Sequence, residues 1–140
     1  MSQNTYKVCI EAAHEFLHIA EQCSNDALEL LCEKMYPFAV NAAFACELFL
    51  KGILIHNAPQ KSVLKIHDLE KLFLELTPSQ QSTIKNNFNK RYNCTFETFL
   101  KETKDTFINW RYPMEKVLKL NITGLLAFAK ALEEQTQVIN

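Results

Sequence analysis

Ile10, Ala13, Phe16, Leu17 and Ala20 are apolar and recur three and four residues apart, the spacing that gathers side chains on one face of a helix. They predict a first helix over about residues 4–22. Ser24, Asn25 and Asp26 follow. Such short polar side chains accept hydrogen bonds from the open N–H groups of a helix start, so a second, short helix is expected over about 26–34. Pro37 fits best in a first helical turn, where its missing N–H costs nothing, and marks a new start or a kink.

Residues 38–56 are apolar almost all round, with Ala39, Ala42, Ala43, Ala45 and Cys46 keeping one side slim. Such a helix belongs in the middle of a bundle, where small residues let neighbours approach closely. Asn57-Ala58-Pro59 ends it. Val63, Ile66, Leu69, Leu72, Phe73 and Leu76 mark a further helix by their spacing. Thr77-Pro78-Ser79-Gln80 reads as an N-cap, a proline at the first helical position and the glutamine of a capping box. That helix runs to about Arg91. Phe96, Phe99, Leu100, Phe107 and Trp110 carry another up to Arg111-Tyr112-Pro113, and Ile122, Leu125, Leu126, Ala129 and Leu132 carry the last. The fold class is all-α: a single bundle over residues 1–140, with four to five main helices and some short ones.

Composition agrees. Two Gly and four Pro in 140 residues are too few for the tight turns of an all-β domain. The net charge of −1, with only two Arg among fifteen basic residues, gives no overall surplus for phosphate-dominated nucleic-acid binding, although a local basic patch stays open. Five cysteines are present, odd in number and without a C-x-x-C pair, which suits reduced thiols acting as small hydrophobes. The first ten residues lack the order of a signal peptide. Glu47, Lys51 and Asn57 interrupt the longest apolar run, so no membrane span is expected. These features predict a cytoplasmic chain.

Four constellations carry candidate chemistry. His14-Glu15-Phe16-Leu17-His18 matches H-E-x-x-H, which on a helix places two histidines on one face for zinc. No third ligand pattern or neighbouring strand accompanies it, and a solvated helix face is the plainer reading, so no metal or other cofactor is expected. Asn41, Glu47 and Lys51 fall within about 120° of arc on the otherwise apolar central helix, and Glu47 and Lys51 are spaced for an i,i+4 pair. Polar groups on a buried helix need partners, so they form a structural ion pair or the floor of a polar cleft. His67 and Asp68 fall near a helix start, where Asp68 suits the positive end of the dipole and His67 serves as a general base or a capping partner. Arg111, Tyr112 and Glu115 are hydrogen-bonding groups beside an aromatic cluster at a proline bend. Arg111 suits bidentate recognition of phosphate or carboxylate, or equally a local pair with Glu115. With Gly only at positions 52 and 124, no Gly-rich phosphate loop exists, and no G-x-S-x-G elbow occurs.

The strings Ala43-x-x-Cys46-Glu47-Leu48-Phe49-Leu50-Lys51, His67-Asp68-Leu69-x-x-Leu72-Phe73 and Trp110-Arg111-Tyr112-Pro113-Met114-Glu115, in this order, resemble the HEPN superfamily (higher eukaryotes and prokaryotes nucleotide-binding). The resemblance covers most of residues 36–130. It implies a helical bundle, a homodimer and, in many members, RNase toxin or host-defence activity. Catalytic members carry Arg followed four to six residues later by His, and neither Arg91 nor Arg111 is followed in that way here.

The leading expectation is therefore a dimeric nucleotide-, RNA- or protein-binding module of a defence or stress system without standard RNase activity. Glu47, Lys51, His67, Arg111, Tyr112 and Glu115 would converge on one polar pocket, within roughly 15 Å of one another. The runner-up is a metal-independent ribonuclease with a rearranged site, Arg111 holding the phosphate and His67 acting as acid or base. A third reading is a protein-interaction module whose polar cluster only fixes the fold. Apolar residues on the first and last helices are candidates for the dimer interface.

Overall fold

The computed structural model describes residues 3–30, 35–60, 62–63, 65–103 and 122–138, with side-chain surroundings given for all of these except 3–4, 24–30, 35–36 and 122. Six helices lie in them: α1 (Gln3–Leu30), α2 (Met35–Asn57), α3 (Leu69–Leu74), α4 (Pro78–Arg91), α5 (Phe96–Thr103) and α6 (Ile122–Val138). No strand occurs among the described residues. Four long helices and two short ones match the expected all-α bundle.

The central position of α2 follows from its composition. Its side packs most extensively on α1 and next on α6, and Ala39, Ala42, Ala43, Ala45 and Cys46 are fully buried. Small side chains there let the helix axes come close. Gly52 takes this furthest: a Cβ at that position would lie 2.5 Å from Ile10 Cδ1 and 3.1 Å from Ile10 Cγ1, so α1 and α2 pack through a bare backbone.

A second layer is aromatic. Phe88 of α4, Phe96 and Phe99 of α5 and Phe128 of α6 are almost wholly buried. Ring centroids lie 4.8 Å apart for Phe88–Phe99 and 5.6 Å for Phe96–Phe128, within the range where tilted and edge-on pairs attract. This cluster fixes the short α5 between longer neighbours.

Local signals at α4 act as the sequence implies. The Thr77 hydroxyl accepts from the Gln80 N–H at 3.2 Å, and Gln80 Oε1 accepts from the Thr77 N–H at 3.2 Å, which closes a capping box behind Pro78. Gln80 also exchanges two hydrogen bonds with the Asn57 side chain, at 2.8 and 3.1 Å. The end of α2 is thereby tied to the start of α4.

Three expectations are corrected. The break at Ser24–Asp26 is absent, since α1 continues to Leu30. Cap-forming residues lower helix propensity only modestly, and no Gly or Pro forces a stop there. The helix expected from Val63 begins only at Leu69, because Asp68 takes the N-cap position and its carboxylate accepts from the Lys71 N–H at 3.1 Å. Val63 is buried and Ile66 packs against the core all the same, so their apolar spacing reflects burial of a non-helical segment that turns where the Ile66 N–H meets the Val63 carbonyl. Third, Pro37–Asn57 is by length and composition alone apolar enough to cross a membrane. Glu47 and Lys51 do not interrupt it sufficiently, and most of the stretch is buried inside the bundle, which accounts for its apolar character as core. The expected continuation of α5 from residue 104 to 113 lies outside the described residues.

Candidate functional site

Glu47 and Lys51 sit one turn apart on α2, in the face covered by neighbouring helices and by the segment before α3. Lys51 Nζ donates to Glu47 Oε2 at 2.8 Å, and the two side chains are 5% and 1% exposed. A buried charge without a partner costs several kcal/mol, so this pairing is the condition for either residue to be there. Lys51 also lies near α1: burial raises the Cys9 thiol pKa, and the positive charge of Lys51 works against that rise.

The segment between α2 and α3 brings a third member. His67 stands just before the Asp68 cap, and its Nδ1 lies 3.1 Å from Glu47 Oε2 and 3.3 Å from Oε1. A carboxylate only accepts, so Nδ1 carries the hydrogen of this contact. The His67 side chain is 43% exposed. One deeply buried carboxylate thus holds a buried ammonium on one side and orients a solvent-facing imidazole on the other. That arrangement can present a hydrogen-bonding ring at a fixed angle, or support acid–base chemistry at it.

The remaining sequence candidates fall elsewhere. The Asn41 side chain donates to the Pro37 carbonyl at 2.6 Å, a turn back on its own helix, so the arc shared with Glu47 and Lys51 does not join it to their bond. Asp68 serves as the α3 cap. Arg111, Tyr112 and Glu115 lie outside the described residues; of the other three, Glu47 contacts both Lys51 and His67.

The two histidines of the H-E-x-x-H string have different partners. His14 Nδ1 meets Glu133 Oε2 of α6 at 2.9 Å, while His18 Nε2 lies 3.3 Å from Gln22. Among the described residues no group of three or more His, Cys, Asp or Glu is placed to hold a metal ion. His14 belongs instead to a polar seam between α1 and α6, with Lys130 bridging Glu21 at 2.9 Å and Glu133 at 3.6 Å. The Glu21 carboxylate hydrogen bond raises the Lys130 pKa, partly opposed by desolvation. None of the described cysteines forms a disulfide. Burial pushes the Cys46 thiol far above its ordinary range, as expected of an inert core residue.

Sequence reasoning missed this seam, the Arg91–Glu134 pair between α4 and α6 and the Lys85–Glu97 pair between α4 and α5. Each joins residues on different helices, and no local pattern marks them.

A family model described as "HEPN domain" matches residues 13–138. No curated protein and no solved structure matches the chain.

Proposed function

The chain belongs to the HEPN domain family, and from that premise we propose that it is a dimeric nucleotide- or RNA-binding module of a defence or stress system, working in the cytoplasm without standard RNase chemistry. The observation that carries the reading is the contact of His67 with Glu47. Lys51 already pairs with the buried carboxylate, so the second contact is more than charge compensation requires. It orients a surface imidazole. Arg111, Tyr112 and Glu115 are further ligand-binding candidates on their chemistry alone, Arg111 for phosphate through its planar fork. Absence of an Arg-x4–6-His string from the sequence supports binding over cleavage.

Dimerisation is supported by large apolar side chains left open on the first and last helices: Val8 is 62% exposed, Ile19 42% and Val138 74%. A second copy covering them would remove that surface from water. Sedimentation equilibrium of the wild type tests this, and a monomer at tens of micromolar would remove the dimer from the proposal.

The binding claim is tested by titrating a labelled single-stranded RNA and, separately, ADP into wild type and His67→Ala. Binding by the wild type and a loss of about tenfold or more in the variant is expected, the range of a lost charge-assisted hydrogen bond. A second reading, a metal-independent ribonuclease, is favoured by the same contact, because a carboxylate-oriented imidazole is suited to general acid–base work. Cleavage in the presence of EDTA separates the two.

A further inference from the structure

Between Leu76 and Phe96 the sequence contains no Asp or Glu, while Lys85, Lys90 and Arg91 fall within it beside Asn86, Asn87, Asn89 and Asn93. The whole chain has sixteen acidic residues, yet α4 and the turn after it contribute amides and cations and no carboxylate of their own; the carboxylates that meet Lys85 and Arg91 come from Glu97 of α5 and Glu134 of α6. Where the end of α4, the turn and the first turn of α5 meet lies an open cleft of about 500 Å³, lined by Lys85, Asn89, Tyr92, Asn93, Thr95 and Glu97 among others. That volume falls in the range of small-ligand sites, which run from roughly 300 to 1,000 Å³.

The lining selects the ligand. The Lys85 and Glu97 side chains pair with each other across α4 and α5, so the cleft does not offer an unbalanced charge to a simple anion. Its surface is mainly polar, which disfavours an apolar guest. Asn89 and Asn93 each bring a donor and an acceptor. The half-buried Tyr92 ring stands edge-on to Phe88, with centroids 6.0 Å apart and planes at 85°, and Phe88 is itself fixed against Phe96 and Phe99. An aromatic ring backed by Phe88, in a cleft that two carboxamides also line, suits a flat, neutral ligand with donors and acceptors around its edge. Nucleobases have that character, and carboxamide side chains read base edges in this way.

We propose that the α4–α5 cleft is a nucleobase subsite, with Asn89 and Asn93 hydrogen-bonding the base edge and Tyr92 supporting its face. The proposal rests on the nucleotide-binding reading and extends it to a surface that the Glu47–His67 contact does not include.

Nucleosides without phosphate test it separately. Adenosine, guanosine, cytidine and uridine are titrated one at a time into the full chain, followed by NMR of the side-chain amides, with ribose 5-phosphate as control. At least one nucleoside is expected to shift the Asn89 and Asn93 amides, while ribose 5-phosphate leaves them in place. Asn89→Ala/Asn93→Ala and, independently, Tyr92→Leu should each weaken that nucleoside by about tenfold or more, the value of a good base-edge contact or stack. A thermal melt confirms that each variant is folded. No response to any nucleoside at millimolar concentration, equal response to ribose 5-phosphate, or undiminished binding by both folded variants would overturn the subsite. Nucleoside binding together with His67-independent RNA binding would leave the cleft standing and remove the role given to His67. A trinucleotide that binds more tightly than a nucleoside monophosphate assigns the base to a strand, and equal affinities assign it to a free nucleotide.

Discussion

His67 Nδ1 lies 3.1 Å from Oε2 of Glu47 although twenty residues separate them in sequence. The same oxygen accepts from Lys51 Nζ at 2.8 Å. A largely apolar, buried helix therefore carries one carboxylate with two nitrogen partners, one inside the protein and one at its surface.

Removing either side of the buried pair should be costly. Lys51→Met leaves Glu47 without its ammonium, and a loss of about 3–5 kcal/mol in urea unfolding is expected. Glu47→Leu combined with Lys51→Met should recover most of that loss, because an apolar pair of similar volume removes the desolvation penalty altogether. A double variant no more stable than Lys51→Met would show that the pair does more than compensate charge.

Packing of α1 on α2 makes Gly52 sensitive to size. Alanine gains about 1 kcal/mol of helix propensity, but its Cβ meets Ile10 Cδ1, the movable end of that side chain. Gly52→Ala should therefore lie close to wild type, whereas Gly52→Val adds branched carbons against the fixed part of Ile10 and should cost about 2 kcal/mol or more. Chemical denaturation measures both, and a stable valine variant would mean that the helices separate easily.

At the start of α4, Thr77→Ala should cost about 1 kcal/mol and Thr77→Ser much less, since serine retains the cap oxygen. Gln80→Leu removes both the capping-box partner and the tie to Asn57, so it should destabilise the chain too. Thermal unfolding of the three variants checks the order.

The Lys85 hydrogen bond lowers the Glu97 pKa below its ordinary value of 4.5, with a backbone hydrogen bond adding to it and slight desolvation opposing. A depressed folded value means that this contact favours the fold above the unfolded pKa and is lost as pH falls through the folded one. With both side chains largely exposed, solvent screens the effect and the stability change is small. NMR titration should place Glu97 low in wild type and move it upward in Lys85→Met. An unmoved titration would mean that the pair does not persist in solution.

The fold was legible because its main signals were periodic or local. The apolar girth of α2 marked a central helix, and Thr77-Pro78-Ser79-Gln80 marked a start to the residue. The false break at Ser24–Asp26 and the early start at Val63 share one cause: the cap residues and apolar spacing that suggested them do not set helix bounds unless backbone hydrogen bonds follow. At the candidate site, the i,i+4 spacing revealed Glu47 with Lys51, and a short motif drew attention to His67. Their meeting was not derivable from spacing, because it depends on the non-helical path of the chain before α3. The α4–α5 cleft was legible only as composition, an acid-free run rich in Asn, and became a place when the turn after α4 met the start of α5.

A single gel assay in EDTA, with structured and unstructured RNA and wild type beside His67→Ala and Arg111→Ala, tests the central claim most directly. Folded wild type is expected to retard RNA without cleaving it, and both variants to retard it less. Cleavage by wild type that disappears in both variants would contradict that claim and establish a ribonuclease with a rearranged site. Folded wild type that neither retards nor cleaves RNA, and does not bind ADP, would contradict the nucleotide-binding claim itself.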